Sequence, residues 1–175
     1  RIPVRQAILD AARSVLVREG LAHWTIEKSA MTAGCAKGLV LYHFRTKHAL
    51  LVELAAVLRD ARLEGRREAM ARRGTAALDR LWSVLEREVR GGEFSAWLSL
   101  TADHDPTVSA ATRPAEQALG ELGTAAAAAL GLAHPLDGMV IEAMLNGFQM
   151  ELLAGRDPAR LLEGYHRGWL SLIEA

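Results

Sequence analysis

The chain has 175 residues, of which 50% are hydrophobic and 24% charged, and its 21 Lys and Arg balance 21 Asp and Glu. No apolar run comes near the ~20 residues that cross a bilayer, and the single cysteine, Cys35, has no partner for an internal disulfide. These features argue against a membrane-spanning or disulfide-stabilised protein and predict a globular protein of the cytoplasm.

The balanced charge is unevenly distributed along the chain. Residues 1–75 contain 14 Lys and Arg against 7 Asp and Glu, whereas residues 76–175 contain 7 against 14. A basic part joined to an acidic part indicates that the first part faces a polyanion, of which nucleic acid is the commonest. The alternative is that the basic residues form solvated helix surface.

The predicted elements are all helical, because sustained period-two alternation is absent and Ala, Leu, Arg and Glu dominate. A first helix is expected over residues 3–19. Thr25 is a good N-cap for a short helix over 26–33, and Gly34 separates this helix from another short one over 36–44.

A long fourth helix is expected over 47–73, capped by Thr46 and apolar on one face as far as Leu58. The heavily charged stretch beyond Leu58 is predicted to be a solvated connector. Glycine and proline divide the rest of the chain into further helices. These are predicted at 76–89, 93–102, 115–130, 136–153 and 158–173. The predicted fold class is therefore all-α, with about nine helices.

The segment from Thr25 to Lys47 carries the functional signal. Two short helices joined by a glycine-containing turn form the bihelical unit whose second helix can lie in the major groove of DNA. In that helix Val40 and Phe44 are four residues apart and are expected to anchor it from one inward face. The predicted DNA contacts are Thr25, Lys37, Gly38, Leu39, Leu41, Tyr42, His43 and Lys47.

These residue types suit the predicted contacts. Gly38 would let the backbone approach a sugar-phosphate strand closely. Lys37 can contact a phosphate or a guanine edge, and Leu39 or Leu41 can pack on a thymine methyl. Lys47 begins the next helix, where its ammonium and the free backbone amides can share one phosphate.

Residues 33–47, with the sequence AGCAKGLVLYHFRTK, resemble the signature of the TetR family of transcriptional regulators. Residues 8–12 and the Glu19-Gly20 pair are similar to the family's first helix, so that the resemblance covers about the first 60 residues. The chain departs from the family pattern at five positions. This chain has Ser29 where the family usually has an apolar residue, Cys35 in place of valine, Ala36 in place of serine, Leu39 in place of threonine and Leu41 in place of tyrosine. The reading face is therefore predicted to be more apolar than usual.

The resemblance implies a helix-turn-helix DNA-binding domain of three helices at 1–46. It also implies a helical bundle at 47–175 that binds an effector and dimerises, with helix 47–73 connecting the two. The implied function is a homodimeric repressor that binds a palindromic operator and is released by a small molecule. No cofactor, metal, membrane contact or catalytic activity is expected. A transcriptional activator of the same fold and a helical protein-binding adaptor are the alternatives.

In TetR-type proteins the last two helices of each subunit usually pack against those of a partner. The residues predicted for this interface are Met144, Phe148, Leu161, Tyr165, Gly168, Trp169 and Leu172. The alternative is that these faces fill the subunit's own core, because helix periodicity does not say which face meets which partner.

Bulky or amphipathic residues in the second part are predicted to line an effector cavity. They are Trp82, Phe94, Trp97, His104, Met139, Met144, Phe148 and Gln149. For each of them ordinary core packing is the alternative. The stretch Phe94 to Pro106 also resembles the corresponding helix of the BetI-type branch, whose best-known members govern choline and betaine metabolism.

Overall fold

The computed structural model describes residues 3–72, 74–132 and 134–174, with the backbone alone at positions 115 and 116. Within these ranges the chain forms ten α-helices and no strand, which confirms the all-α prediction. The helices are α1 (Val4–Glu19), α2 (Ile26–Thr32), α3 (Lys37–Phe44), α4 (Lys47–Met70), α5 (Thr75–Arg90), α6 (Glu93–Thr101), α7 (Pro106–Ala110), α8 (Arg113–Ala129), α9 (Asp137–Leu153) and α10 (Pro158–Ile173).

One helix, α7, was not expected. It lies between the helices predicted at 93–102 and 115–130, and the Asp105-Pro106 pair starts it: an Asp105 carboxylate oxygen accepts a hydrogen bond from the Thr107 amide at 2.9 Å, and proline occupies the first turn. The long helix α4 ends at Met70, three residues before the predicted end, and residue 73 lies outside the described residues.

The chain packs into two compact units. The first comprises Arg1–Asp60 with Gly91–Arg113, and the second comprises Ala61–Arg90 with Pro114–Ala175. Helix α4 contributes to both units, whereas α6 and α7 belong to the first. The predicted division into 1–46 and 47–175 is a division by function, and it stays a prediction.

The core of the first unit lies where α1 packs against α2, α3 and α6. The inward face of α1 buries Ile8, Val15 and Leu16, and each such side chain stabilises the unit by about 1.5–3 kcal/mol relative to exposure. Trp24 is buried in the same core, where its indole Nε1 donates a hydrogen bond to the Ala12 carbonyl at 3.0 Å. This scaffold fixes the two short helices α2 and α3.

The core of the second unit is built by α5, α9 and α10. Helices α8 and α9 cross closely at a pair of glycines: a Cβ atom on Gly123 would lie 2.8 Å from the Gly138 carbonyl oxygen. Only a residue without a side chain therefore fits at this crossing.

No helix in the described ranges combines the length and the apolar character that crossing a membrane requires.

Candidate nucleic-acid interface and ligand cavity

The helix-turn-helix is held by local hydrogen bonds. Thr25 is the N-cap of α2, as predicted, and its hydroxyl accepts from the Lys28 amide at 3.2 Å. Ser29 is fully buried although polar, and its hydroxyl donates to the Thr25 carbonyl at 3.0 Å. Gly34 has φ +67°, the left-handed conformation in the turn between α2 and α3. The threonine cap and the glycine of the turn, both visible in the sequence, therefore account for the local structure of the helix-turn-helix.

Helix α3 has one buried and one exposed side. Val40 and Phe44 are buried, as expected, and fix the helix against its scaffold. Lys37, Gly38 and Leu39 are exposed at its start. Tyr42 keeps 75% of its surface exposed, which is unusual for a large aromatic side chain. The other two α3 residues predicted to contact DNA are half-buried, Leu41 and His43.

Gly38 has no packing reason to be glycine. A Cβ atom added at this position would meet nothing within 4 Å. Glycine inside a helix costs roughly 0.5–1 kcal/mol relative to alanine. The exposed, side-chain-free surface at Gly38 thus suits the close approach of a partner from outside.

Lys37 is paired with a carboxylate on the neighbouring helix. Its Nζ lies 2.6 Å from Oε1 of Glu27, and both side chains are exposed. The hydrogen bond from Lys37 holds the pKa of Glu27 below its usual range. This pairing is not apparent in the sequence, because ten residues and a turn separate the two positions.

The start of α4 presents the last predicted contact, Lys47. Its ammonium lies 5.8 Å from the centre of the Trp24 ring and remains exposed. Thr46 caps α4, as predicted, by accepting a hydrogen bond from the Ala49 amide at 3.0 Å. Lys47 is therefore placed beside the amide end of a helix, where anions bind.

The second unit contains a cavity of about 1010 Å³. Its wall is mainly aliphatic, with side chains such as Leu81, Leu122 and Ile141. The polar and charged side chains that also line it are Arg66, Arg72, Thr75, Asp79, Glu142, His166 and Trp169. A largely apolar space with a few polar groups is the ordinary form of a small-molecule site.

A buried polar cluster lies beside this cavity, on α4, α5 and α9. Glu88 accepts hydrogen bonds from Arg62 at 2.8 Å, from Arg66 at 3.2 Å and from the Gln149 amide at 2.8 Å. All four side chains are almost completely buried. The prediction of a solvated stretch beyond Leu58 is wrong for the two arginines, because they turn into the second unit and pair with Glu88.

Glu142 stands at the edge of this cluster. Its Oε1 lies 4.0 Å from Nε of Arg66, which is too long for a hydrogen bond. Burial raises the pKa of Glu142, against the opposing effect of Arg66 and Arg62. Neither Glu142 nor Arg66 was among the site residues predicted from the sequence.

The residues predicted for an effector pocket do not form one group. Phe94 and Trp97 are buried in the first unit, where His104 is exposed. The others lie in the second unit, where Trp82 and Gln149 are buried, Met144 and Phe148 are half-buried and Met139 is exposed. None of the eight lines the cavity described above.

Four aromatic residues of the second unit pack against one another. The ring centroid of Tyr165 lies 5.2 Å from that of Trp82, 5.7 Å from that of Phe148 and 6.1 Å from that of Trp169. Tyr165 and Trp169 are buried in the subunit's own core, so the interface prediction does not agree with their positions. The remaining predicted interface residues, Met144, Phe148, Leu161, Gly168 and Leu172, are half-buried.

Among the described residues no group of three or more His, Cys, Asp or Glu side chains is placed to hold a metal ion. Cys35 is a free, half-buried thiol.

Comparison with protein families gives one match. Residues 8–54 match the model of the bacterial regulatory proteins of the tetR family. This range contains most of α1 and the whole of α2 and α3. No curated protein sequence matches the chain.

Solved structures share the fold over nearly the full length. A TetR transcription regulator from Haloarcula marismortui is 17% identical, with a TM-score of 0.74 over 98% of this chain and 96% of that chain. The multidrug binding protein EbrR, solved with imidazole, is 26% identical, with a TM-score of 0.65 over 95% of each chain. A regulator structure from Saccharomonospora viridis in complex with choline is 17% identical, with a TM-score of 0.73 over 93% of each chain. The chain thus has the fold of TetR-family transcriptional regulators, with an N-terminal helix-turn-helix, and none of these findings confirms the BetI-type resemblance.

Proposed function

We propose that this chain is a ligand-responsive transcriptional regulator of the TetR family, and that it acts as a homodimeric repressor. The observation that carries the proposal is the coincidence of two findings at α3. This helix lies within the range that matches the family model, and it is anchored by Val40 and Phe44 while Lys37, Gly38 and Tyr42 face outward. That arrangement is the one a recognition helix needs in the major groove.

The proposed DNA contacts divide by chemistry. Lys37 and Lys47 neutralise phosphates, and the hydroxyl of Tyr42 donates a hydrogen bond to the sugar-phosphate backbone. Leu39 and Leu41 pack on thymine methyls and so carry base preference without hydrogen bonds. Thr25 and His43, both half-buried at the edges of the helix-turn-helix, supply further backbone contacts.

The cavity of the second unit is the proposed effector site, in place of the eight residues expected from the sequence. Arg66 lines this cavity and belongs to α4, the same helix that begins at Lys47. We infer that effector binding favours a position of α4 in which the two recognition helices of the dimer no longer fit successive grooves. Operator affinity then falls, and transcription resumes.

The proposed dimer interface is the exposed side of α9. Apolar and small residues follow one another there at alternating spacings of four and three, the spacing of a helix-packing seam. They are Leu136, Val140, Ala143, Gly147, Met150 and Ala154, and all are exposed. Two copies related by a two-fold axis would place two α3 helices on the half-sites of a palindrome.

The test is a binding titration with DNA from upstream of the chain's own gene, followed by fluorescence anisotropy. Lys37→Ala and Tyr42→Ala should each weaken binding by about tenfold, the loss expected for one good phosphate contact or more. The control is Arg167→Ala, which removes an exposed arginine from α10. Absent binding, or equal affinity for all variants, would instead favour the protein-binding adaptor.

A reporter gene behind the same DNA separates the two regulatory modes. Deletion of the regulator should raise expression if the chain is a repressor. A fall in expression would support the activator alternative and contradict this part of the proposal.

A further inference from the structure

Three residues that line the cavity in the second unit, Arg66, Glu142 and Trp169, each have a buried polar atom without a hydrogen-bond partner among the described residues, and the first two lie next to each other. Nε of Arg66 and Oε2 of Glu142 are buried and have no hydrogen-bond partner among the described residues. Both residues line the cavity. Buried polar groups of a folded protein are almost always satisfied, so that such a pair calls for an explanation.

The two side chains cannot easily satisfy each other. Oε1 of Glu142 lies 4.0 Å from Nε of Arg66. The two terminal nitrogens of Arg66 are already held, one by Glu88 at 3.2 Å and the other by the Gln149 carbonyl at 3.5 Å. A rotation of the guanidinium towards Glu142 would break these hydrogen bonds. The 4.0 Å between Oε1 of Glu142 and Nε of Arg66 leaves room for one hydroxyl oxygen at about 2.8 Å from each, so a hydroxyl group can bridge the carboxylate and the guanidinium.

Within the part of the chain that the structure describes, the four charged side chains of the cluster balance one another. Two arginines, Arg62 and Arg66, stand against two glutamates, Glu88 and Glu142. The arginines and Glu88 are almost fully buried, and the Glu142 side chain retains only 14% of its exposure. A charged ligand group at this place would bring an unpaired charge into a buried site, which is strongly unfavourable.

We propose that the cavity takes an uncharged, mainly apolar small molecule with one group that both donates and accepts a hydrogen bond, such as a hydroxyl. This group donates to the carboxylate of Glu142 and accepts from Nε of Arg66, while the aliphatic wall encloses the apolar body. The inference rests on the proposed effector function of the cavity. It specifies two properties of the effector: it has no net charge, and it is anchored by a hydroxyl-like group. The ligand proposed here is uncharged and so differs from the cation choline that the S. viridis structure holds.

The experiment compares three probes with the same apolar tail, 1-octanol, octylammonium and octanoate, by calorimetric titration of the full chain at neutral pH. Octanol should bind at least about tenfold more tightly than either charged probe. Glu142→Gln keeps a hydrogen-bonding group of the same size but removes one negative charge. This variant should shift the preference towards octanoate, because the cluster then has an excess of positive charge.

The matched control is Glu151→Gln, which removes the same charge from a half-buried position on α9 that does not line the cavity. It should leave the ranking of the three probes unchanged. Octylammonium or octanoate binding as tightly as octanol to the unchanged protein would overturn the inference, as would the same ratio of octanoate to octanol affinity in Glu142→Gln and Glu151→Gln. The ranking on the unchanged protein decides the matter even if Glu142→Gln does not fold.

Operator binding is measured separately, by anisotropy, in the presence of each probe. Tight octanol binding that leaves operator affinity unchanged would contradict the proposed effector function while the site inference stands. Release of the operator by octylammonium alone would support the function and overturn the inference.

Discussion

Gly38 combines an exposed helical position with the absence of any neighbour that a side chain would disturb. Gly38→Ala should therefore stabilise the free protein by about 0.5–1 kcal/mol, the usual gain of alanine over glycine inside a helix. The added methyl group should at the same time weaken operator binding by about tenfold, because it separates the α3 backbone from the sugar-phosphate strand. Urea denaturation and anisotropy measure the two effects.

The control for Gly38→Ala is Gly120→Ala, which also replaces an unobstructed helical glycine, but in α8. This variant should gain stability and retain operator affinity. If Gly38→Ala likewise binds the operator with unchanged affinity, α3 does not approach the DNA backbone at this residue.

Glu19 links the end of α1 to α2. The hydrogen bond from Lys28, and then that from Arg18, lowers the pKa of Glu19 to about 2 from a usual value of 4.5. Between these values the unfolded chain takes up the proton more readily, so the contribution of Glu19 to stability is complete above about pH 4.5 and is lost as the pH falls towards 2. Glu19→Gln should flatten the pH dependence of the unfolding free energy in this window.

Denaturation in urea at a series of pH values measures this slope. Lys28→Gln should flatten it as well, because Lys28 is the main cause of the lowered pKa. A slope that survives in both variants would show that other carboxylates control acid stability.

Among the helices, caps and turns are what the sequence predicts best. Thr25 and Thr46 cap α2 and α4, and Gly34 has the left-handed backbone that the turn needs. These features are local, since each depends on residues within a few positions along the chain. The outer and inner sides of α3 follow from the four-residue spacing of Val40 and Phe44, apart from the half-burial of Leu41 and His43.

The charged part of α4 shows where such reasoning fails. Arg62 and Arg66 continue the buried stripe of Leu54 and Leu58 at steps of four residues, and Glu88 and Gln149 continue the apolar faces of their own helices in the same way. Four polar residues on inward faces predict a buried cluster, but only in combination. Taken one helix at a time, each charged residue is more simply explained by contact with solvent.

The crossing of α8 and α9 gives a prediction for one element. A Cβ atom on Gly123 would lie 2.8 Å from the backbone oxygen of Gly138, which cannot move without the helix. Gly123→Ala should destabilise the protein by roughly 1–3 kcal/mol, the usual cost of overpacking. Gly120→Ala, one turn earlier on α8, should instead stabilise the protein. Urea denaturation of both variants measures the difference in unfolding free energy. Equal stabilisation by both would contradict the close crossing.

For the molecule as a whole, the sequence predicts the class of fold and its N-terminal helix-turn-helix but not the use of each apolar face. Tyr165 and Trp169 have the same spacing as interface residues of a helical dimer, yet they fill the subunit's own core. A helix with a wide apolar face can turn either side towards a partner, and periodicity does not distinguish them. The aromatic residues predicted for the effector pocket are likewise mainly core residues.

The exposed seam of α9 carries the last prediction, which concerns assembly. Val140 and Met150 are exposed large hydrophobic residues on one side of this helix. The double variant Val140→Glu with Met150→Glu should leave the subunit folded, because neither residue belongs to its core, but should make it monomeric, because a buried interface does not accept unpaired carboxylates. Sedimentation measures the oligomeric state, and circular dichroism confirms the helices.

Operator binding should fall with the dimer, by about a hundredfold or more, since each half-site then binds on its own. The control is Ser83→Glu, which adds a carboxylate to an exposed position of α5 away from the seam. A double variant that remains dimeric would assign the interface to another surface, whereas a monomer with full operator affinity would show that one helix-turn-helix is sufficient for recognition. Loss of both properties together is the result expected for a two-fold reader of a palindrome.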